Sequence, residues 1–278
     1  MIITGASSGI GHQAAIQLAS LGAGLVLVGR SPERHRAVQA ELDGSGATHA
    51  LVAADLGDLS AVAVAARTIC DRPPRGDVIL INNAATAGKR GITRDGFELA
   101  FGVNYLAHYL LTSLLVQSGL PIKRVINVTS NAHYSTPKLD PALAVGKTKS
   151  FLGWREYAHS KAAMAAMSIE LAVRNTGIIS LAVHPGVVAT GLWRRIPQPF
   201  RAILTRRMAP PAVGALPLVR AATDPRLPSG GYLAPEGLLD PSRAVLDGSR
   251  RADLWDASAR WVGPFLSPSA RDPMPFQR

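Results

Sequence analysis

Met1-Ile-Ile-Thr4-Gly5-Ala-Ser-Ser-Gly9-Ile-Gly11 runs from a short apolar strand straight into a glycine turn, and the amphipathic stretch 13–21 follows. Strand, turn and helix in immediate succession predict a βα unit whose helix N-terminus faces outward. Backbone N–H groups at such an end cradle a pyrophosphate, and the helix dipole assists. A glycine cluster alone is a weak signal; directly after a strand and opening a helix it carries weight. Gly5, Ser7, Ser8, Gly9, Ile10 and Gly11 are therefore candidate cofactor contacts.

Outward from that unit, the apolar segment 25–28 reads as a second strand. Dinucleotide folds place an acid about 20 residues after the glycines to hold the ribose 2′-OH of NAD. Gly29-Arg30-Ser31 occupies that place here. The planar fork of Arg30 suits a 2′-phosphate, so NADPH is expected over NADH. Ser31-Pro32 opens the next helix with a cap and a first-turn proline. Further strands are predicted at 47–54, 77–81, 124–128 and 178–183, with helices at 60–70, 98–116 and 154–175 between them. This alternation predicts an α/β fold, a doubly wound parallel sheet in one domain spanning 1–263. Ligands on such sheets bind at the carboxyl ends of the strands. Gly5–Gly11, Arg30, Asp55-Leu56, Asn82, Ser130 and Pro185 all fall at strand ends.

Tyr157-Ala-His-Ser-Lys161 lies near the start of the 154–175 helix, with its tyrosine and lysine on one face about a turn apart. An ammonium ~4 Å from a phenol oxygen contributes on the order of 4 kcal/mol at a mid-range dielectric. That would draw a phenol from about 10 toward neutrality, making it a proton donor and acceptor for a carbonyl oxygen.

Composition narrows the alternatives. The 278 residues are 47% hydrophobic, enough for a sizeable core. Cys70 is the only cysteine and is expected as a packing residue, which excludes an intrachain disulfide and a cysteine-based metal site. Seven histidines show no H-x-x-x-H spacing, so no metal is expected. The net charge of +11 points to an anionic partner; a phosphorylated cofactor accounts for it, and no nucleic-acid-binding motif is present. Apolar runs are interrupted before ~18 residues and no leader pattern opens the chain, so no integral membrane association and a cytoplasmic location are expected.

Together these residues resemble the short-chain dehydrogenase/reductase superfamily. The likeness rests on T-G-x-x-x-G-I-G at Thr4–Gly11, Asp55, N-N-A at Asn82–Ala84, Asn104, Ser130, Y-x-x-x-K and Pro185-Gly186-Val-Val-Ala-Thr190, in the family's order. Ala85 departs from the family's usual N-N-A-G. A narrower likeness, to the retinol dehydrogenases and WW-domain oxidoreductases, rests on Asp95-Gly-Phe-Glu98, Val103-Asn-Tyr-Leu-Ala-His108 and Val125-Ile-Asn-Val-Thr-Ser-Asn-Ala-His133. The spacing of 27 between Ser130 and Tyr157 also fits that branch. The light-dependent protochlorophyllide reductases carry a cysteine within Y-x-x-x-K, where Ala158, His159 and Ser160 stand here.

The resemblance implies a catalytic set of Asn104, Ser130, Tyr157 and Lys161. Tyr157 would be the general acid, Ser130 a second donor to the carbonyl oxygen, and Lys161 a holder of the nicotinamide ribose. Asn104 would lie in an interrupted helix, its backbone placing a relay water. Asn82, Ala84, Pro185, Gly186, Val188 and Thr190 would line the cofactor. Singly, Ser130 reads as a strand-end cap, Asn104 as a polar helix residue and Lys161 as an exposed lysine; only their joint order makes a site. His133 and His159 are candidate substrate contacts. Residues 191–211, basic and apolar in alternation, would form a substrate lid, with a membrane-surface helix as the competing reading. A last strand at 230–233, a helix at 250–262 and a loose proline-rich tail from 264 complete the chain. The expected activity is NADPH-dependent reduction of a ketone or aldehyde on a lipophilic small molecule. A tailoring ketoreductase of aromatic polyketides and a catalytically silent nucleotide sensor are the alternatives. Family members often form homo-oligomers, dimers or tetramers, through the helices that carry Asn104 and Tyr157.

Overall fold

A computed structural model of the chain describes residues 1–43, 48–188 and 208–266. Eight strands form one sheet in the order β3-β2-β1-β4-β5-β6-β7-β8. They are β1 (Ile2–Thr4), β2 (Leu25–Gly29), β3 (His49–Ala53), β4 (Val78–Asn82), β5 (Ile122–Val128), β6 (Ile179–Val183), β7 (Tyr232–Ala234) and β8 (Gly237–Leu239). Every pairing from β3 through β7 is parallel, and β8 turns back antiparallel on β7. Neighbouring strand residues alternate between two cores. Ile2, Val26, Leu80 and Val125 face one side, while Ile3, Leu27, Ile81 and Ile126 face the other. A sheet buried on both faces explains why these strands read as continuous apolar runs.

Helices α1 (Gly9–Ser20), α2 (Pro32–Asp43) and α7 (Pro211–Thr223) cover one face. The other carries α3 (Leu59–Asp71) and the run α4 (Leu99–Phe101), a π-helical turn (Gly102–Leu106) and α5 (Ala107–Gln117), with α6 (Trp154–Arg174) beside it. Side-chain caps set the starts: Asp58 accepts from Ala61 N, Glu98 from Phe101 N, and Ser31 Oγ from Arg34 N. The run Leu99–Gln117 is long and apolar enough by composition to cross a membrane, which the interruptions in the sequence had argued against; here it is a core helix under α6 and the C-terminal helix.

A short α8 (Arg243–Leu246) leads into α9 (Gly248–Leu266). The helix continues through Pro264, so Phe265 and Leu266, expected in a loose tail, pack against the core instead. Apolar contact with the domain outweighs the missing proline N–H so near the helix end. α9 lies across the helices on which copies were expected to meet. Trp255 lies edge-on to Tyr109 at 4.8 Å, Trp261 meets Phe101 at 5.9 Å, and Tyr105 Oη bonds Ser258 Oγ at 2.8 Å. Arg251 reaches Glu170 at 3.1 Å, and Arg174 stacks over Trp255 at 5.2 Å. From Glu156 to Leu171, α6 is buried except for a half-exposed Ile169. The faces of α5 and α6 on which copies were expected to meet are therefore covered by the same chain.

Candidate active site

Because β1 to β7 run parallel, their carboxyl ends share one edge of the sheet, and chain order reverses there between β1 and β4. Gly5 follows β1 with φ +69, a conformation in which a side chain is strained. A Cβ on it would come within 2.8 Å of Ala84 Cα. One on Gly11 would come within 2.3 Å of Asn83 Nδ2 and 2.6 Å of Gly5 O. Ser8 is extended, makes no side-chain cap to α1, and no acid occupies the first turn. The free N–H groups at that helix start form a cradle suited to a dinucleotide pyrophosphate. Arg30, exposed, follows β2 directly. Asp55 follows β3 closely and accepts from Gly57 N at 3.0 Å, with Leu56 buried beside it.

Thr4 Oγ1 locks this loop to the end of β4. It accepts from Asn83 N at 2.9 Å and Ala84 N at 3.0 Å, while Asn83 Nδ2 donates to Thr4 O at 2.9 Å. Asn83 thus braces the glycine turn, a role not read from the sequence. The Asn82 side chain points the other way, donating to Thr112 Oγ1 at 3.0 Å and Asn127 Oδ1 at 2.8 Å in the core. Pro185 and Gly186 (φ +85) follow β6, and buried Val188 bridges to Ala209. Thr190 and most of the expected lid lie outside the described residues.

Asn104 sits within the π-helical turn, as an interrupted helix implied. Its side chain clamps Thr86, accepting from Thr86 N at 2.7 Å and donating to Thr86 O at 3.0 Å, and Nδ2 also donates to Ser160 Oγ at 2.9 Å. Ser160 Oγ donates onward to Tyr157 O at 2.7 Å. Asn104 O accepts from His108 Nδ1 at 2.8 Å. With that proton on Nδ1, Nε2 must accept, so Thr4 Oγ1 donates to it at 2.9 Å. A buried chain of hydrogen bonds therefore runs from the glycine loop to α6.

Lys161 donates from Nζ to Val128 O at 2.8 Å and lies 5.9 Å from the centre of the Tyr157 ring. Thr129 Oγ1 donates to Lys161 O at 2.7 Å, pinning the end of β5 to α6. Ser130 caps the 3-10 turn after β5, accepting from Ala132 N at 3.2 Å. The arrangement brings Ser130, Tyr157, Lys161 and Asn104 together, but not the expected acidification. Burial pushes the Tyr157 phenol up to about 12, opposed only by a hydrogen bond with Ser130. Burial also lowers Lys161 to about 7. Desolvation is the leading cause for both groups.

His133 and His159 are struts rather than substrate contacts. His133 donates from Nδ1 to Ser130 O at 2.8 Å and accepts from Ser242 N at 3.1 Å; His159 accepts from Asp140 N at 3.0 Å and stacks on Phe101. Free Cys70 is half-buried against the core, and the described residues contain no metal-binding cluster.

The sequence model of the family described as short chain dehydrogenase matches residues 1–199. The chain belongs to that family. DnrU of Streptomyces sp. (strain C5), assigned as a daunorubicin C-13 ketoreductase, is 35% identical, covering 95% of this chain and 92% of its own. Retinol dehydrogenase 13 of Homo sapiens is 32% identical over 99% of this chain and 88% of its own, which places the protein in the retinol dehydrogenase-like branch. The short-chain dehydrogenase from Sphingobium yanoikuyae in complex with NADPH superposes with a TM-score of 0.65 at 26% identity, over 99% and 98% of the two chains. The protein is an NAD(P)-dependent oxidoreductase.

Burial holds His108, His159 and His184 down at about 4. Between about pH 6.5 and 4 the unfolded chain therefore binds protons the folded one rejects, and stability falls as pH falls, by ~1.4 kcal/mol per pH unit for each histidine. Urea unfolding followed across that window is expected to show this slope, reduced by about one proton in His108→Gln; an unchanged slope in the variant would contradict a buried neutral His108.

Proposed function

We propose that the protein is an NADPH-dependent reductase of a ketone or aldehyde carried on a lipophilic substrate. The observation that carries this reading is the buried Tyr157 phenol, which keeps its proton at neutral pH beside the Ser130 hydroxyl. Reduction of a carbonyl needs a protonated donor where negative charge develops on oxygen. Tyr157 Oη–H would deliver that proton and Ser130 Oγ–H a second hydrogen bond. Lys161 would hold the ribose hydroxyls and return a proton to Tyr157. Asn104 O, one lone pair given to His108, has the other for a relay water. Bound nicotinamide supplies the hydride from its C4. Gly5–Gly11, Asn82, Ala84, Pro185, Gly186 and Val188 would orient it, with Asn82 acting through its backbone, since its side chain is engaged in the core.

Preference for the phosphorylated cofactor rests on Arg30, exposed just past β2 where NAD binders carry an acid. The lipophilic substrate rests on likeness to a retinol dehydrogenase and to a protein assigned as a daunorubicin C-13 ketoreductase. The 35% identity with the latter over nearly the whole chain favours, as a second reading, a tailoring ketoreductase of that class.

NADPH oxidation against a panel of lipophilic ketones, aldehydes and quinones tests the proposal. Tyr157→Phe is expected to lower kcat by about 10³-fold with NADPH binding little changed; activity surviving in that variant would refute the assigned acid. Arg30→Asp is expected to weaken NADPH binding by about 10- to 100-fold while sparing NADH. Equal losses for both cofactors would remove Arg30 from the 2′-phosphate site.

A further inference from the structure

Just ahead of Tyr157 in the chain, apolar side chains turn outward. Phe151 is 85% exposed, more than any other large apolar side chain among the described residues; Leu152 is 51% and Trp154 49% exposed. The Trp154 ring stands 5.7 Å from that of Tyr157, so this knob adjoins the reacting centre.

The loop is held, not frayed. Leu152 (φ 52) and Gly153 (φ 66) are successive left-handed residues, and leucine adopts that conformation only when its surroundings force it. The Glu156 carboxylate fastens the segment from below, accepting from Lys149 N and Ser150 N at 3.0 Å each and from the Ser150 hydroxyl. Gly153 presses so closely on Lys89 O that a Cβ would come within 2.9 Å. Arg90 Nη2 donates to Thr148 O at 3.2 Å, joining the 89–91 loop to the same base.

Charge completes the surface. Lys89, Arg90, Lys147, Lys149 and Arg155 are all exposed around the knob. Neither residues 84–94 nor 141–155 contain an acid, and Glu156 is 4% exposed with its oxygens turned inward.

We propose that this loop docks the protein on an anionic lipid bilayer, with Phe151, Leu152 and Trp154 entering the headgroup boundary and the five cations meeting lipid phosphates. Exposed aromatic and aliphatic side chains ringed by lysine and arginine match the interfacial region of a membrane, apolar within and anionic at its surface. A second copy is disfavoured by the same charges, because a two-fold contact through the knob would set five cations against five. Docked this way, the loop next to Tyr157 faces the bilayer, the side from which a membrane-dissolved substrate would arrive.

Flotation of the purified full chain with vesicles of phosphatidylcholine, with and without phosphatidylglycerol, tests this. It needs no substrate, so its outcome is independent of the proposed reductase activity. The wild-type protein is expected to float with the anionic vesicles only, and less so at high salt. Phe151→Asp, and Lys147→Glu with Lys149→Glu, should each weaken that binding at least about tenfold, at roughly fivefold per charge removed. Circular dichroism and turnover of a water-soluble carbonyl compound should stay as in the wild type. If Phe151→Asp does not fold, the charge-reversed protein decides alone. Absence of flotation, flotation undiminished in these variants, or a concentration-dependent dimer that Phe151→Asp dissolves would each overturn the proposal.

Discussion

Thr4 Oγ1 is the point at which the site is held together. It accepts two backbone N–H groups from the end of β4 and donates to His108 on α5, so one hydroxyl joins β1, β4 and the helix beyond the π-turn. From His108 the bonding continues through Asn104 to Ser160 and the first turn of α6. All of these groups except Asn83 and Ala84 are buried. Breaking one link leaves a neighbour without a partner, which costs about 1–3 kcal/mol per group. The glycine cradle and the helix bearing Tyr157 are thus fixed relative to each other by hydrogen bonds rather than by apolar contact alone.

The π-turn shows why this matters for chemistry. The backbone winds wider there than in an ordinary helix, with Ala107 N–H bonding back five residues to Gly102 O. In this turn the Asn104 carbonyl accepts from the His108 ring, and its side chain clamps Thr86. Burial then sets the proton inventory: Tyr157 keeps its proton, and Lys161 is brought to about neutrality. A protonated phenol in such a pocket is set to donate, as the proposed carbonyl reduction requires.

Much of this was legible in the sequence because it is local. The glycine turn, the strand-helix alternation and the Ser31 and Pro32 helix start each depend on residues close together in the chain, whereas the interrupted helix around Asn104 came only from the family resemblance. What was not legible depends on position in three dimensions. Asn82 ends β4 facing the core, and the pleat turns the next residue the opposite way, so Asn83 reaches the glycine loop; Asn-Asn alone does not tell which does so. His133 and His159 look like site residues by proximity, yet their partners lie 109 and 19 residues away. A charge estimate for Tyr157 that takes no account of burial has the wrong sign. Likewise α9 reads as an ordinary terminal helix until it is seen across α5 and α6, the helices on which copies were expected to meet.

The most direct test of a phenol kept protonated at the glycine-lined groove is carbon-13 NMR of the ring carbon bearing the hydroxyl, in tyrosine-labelled protein with Tyr157→Phe as the assignment control. The Tyr157 resonance should hold its protonated shift through neutral pH, titrate only toward about 12, and move when NADPH is added. Titration near neutrality, or indifference to NADPH, would contradict the account.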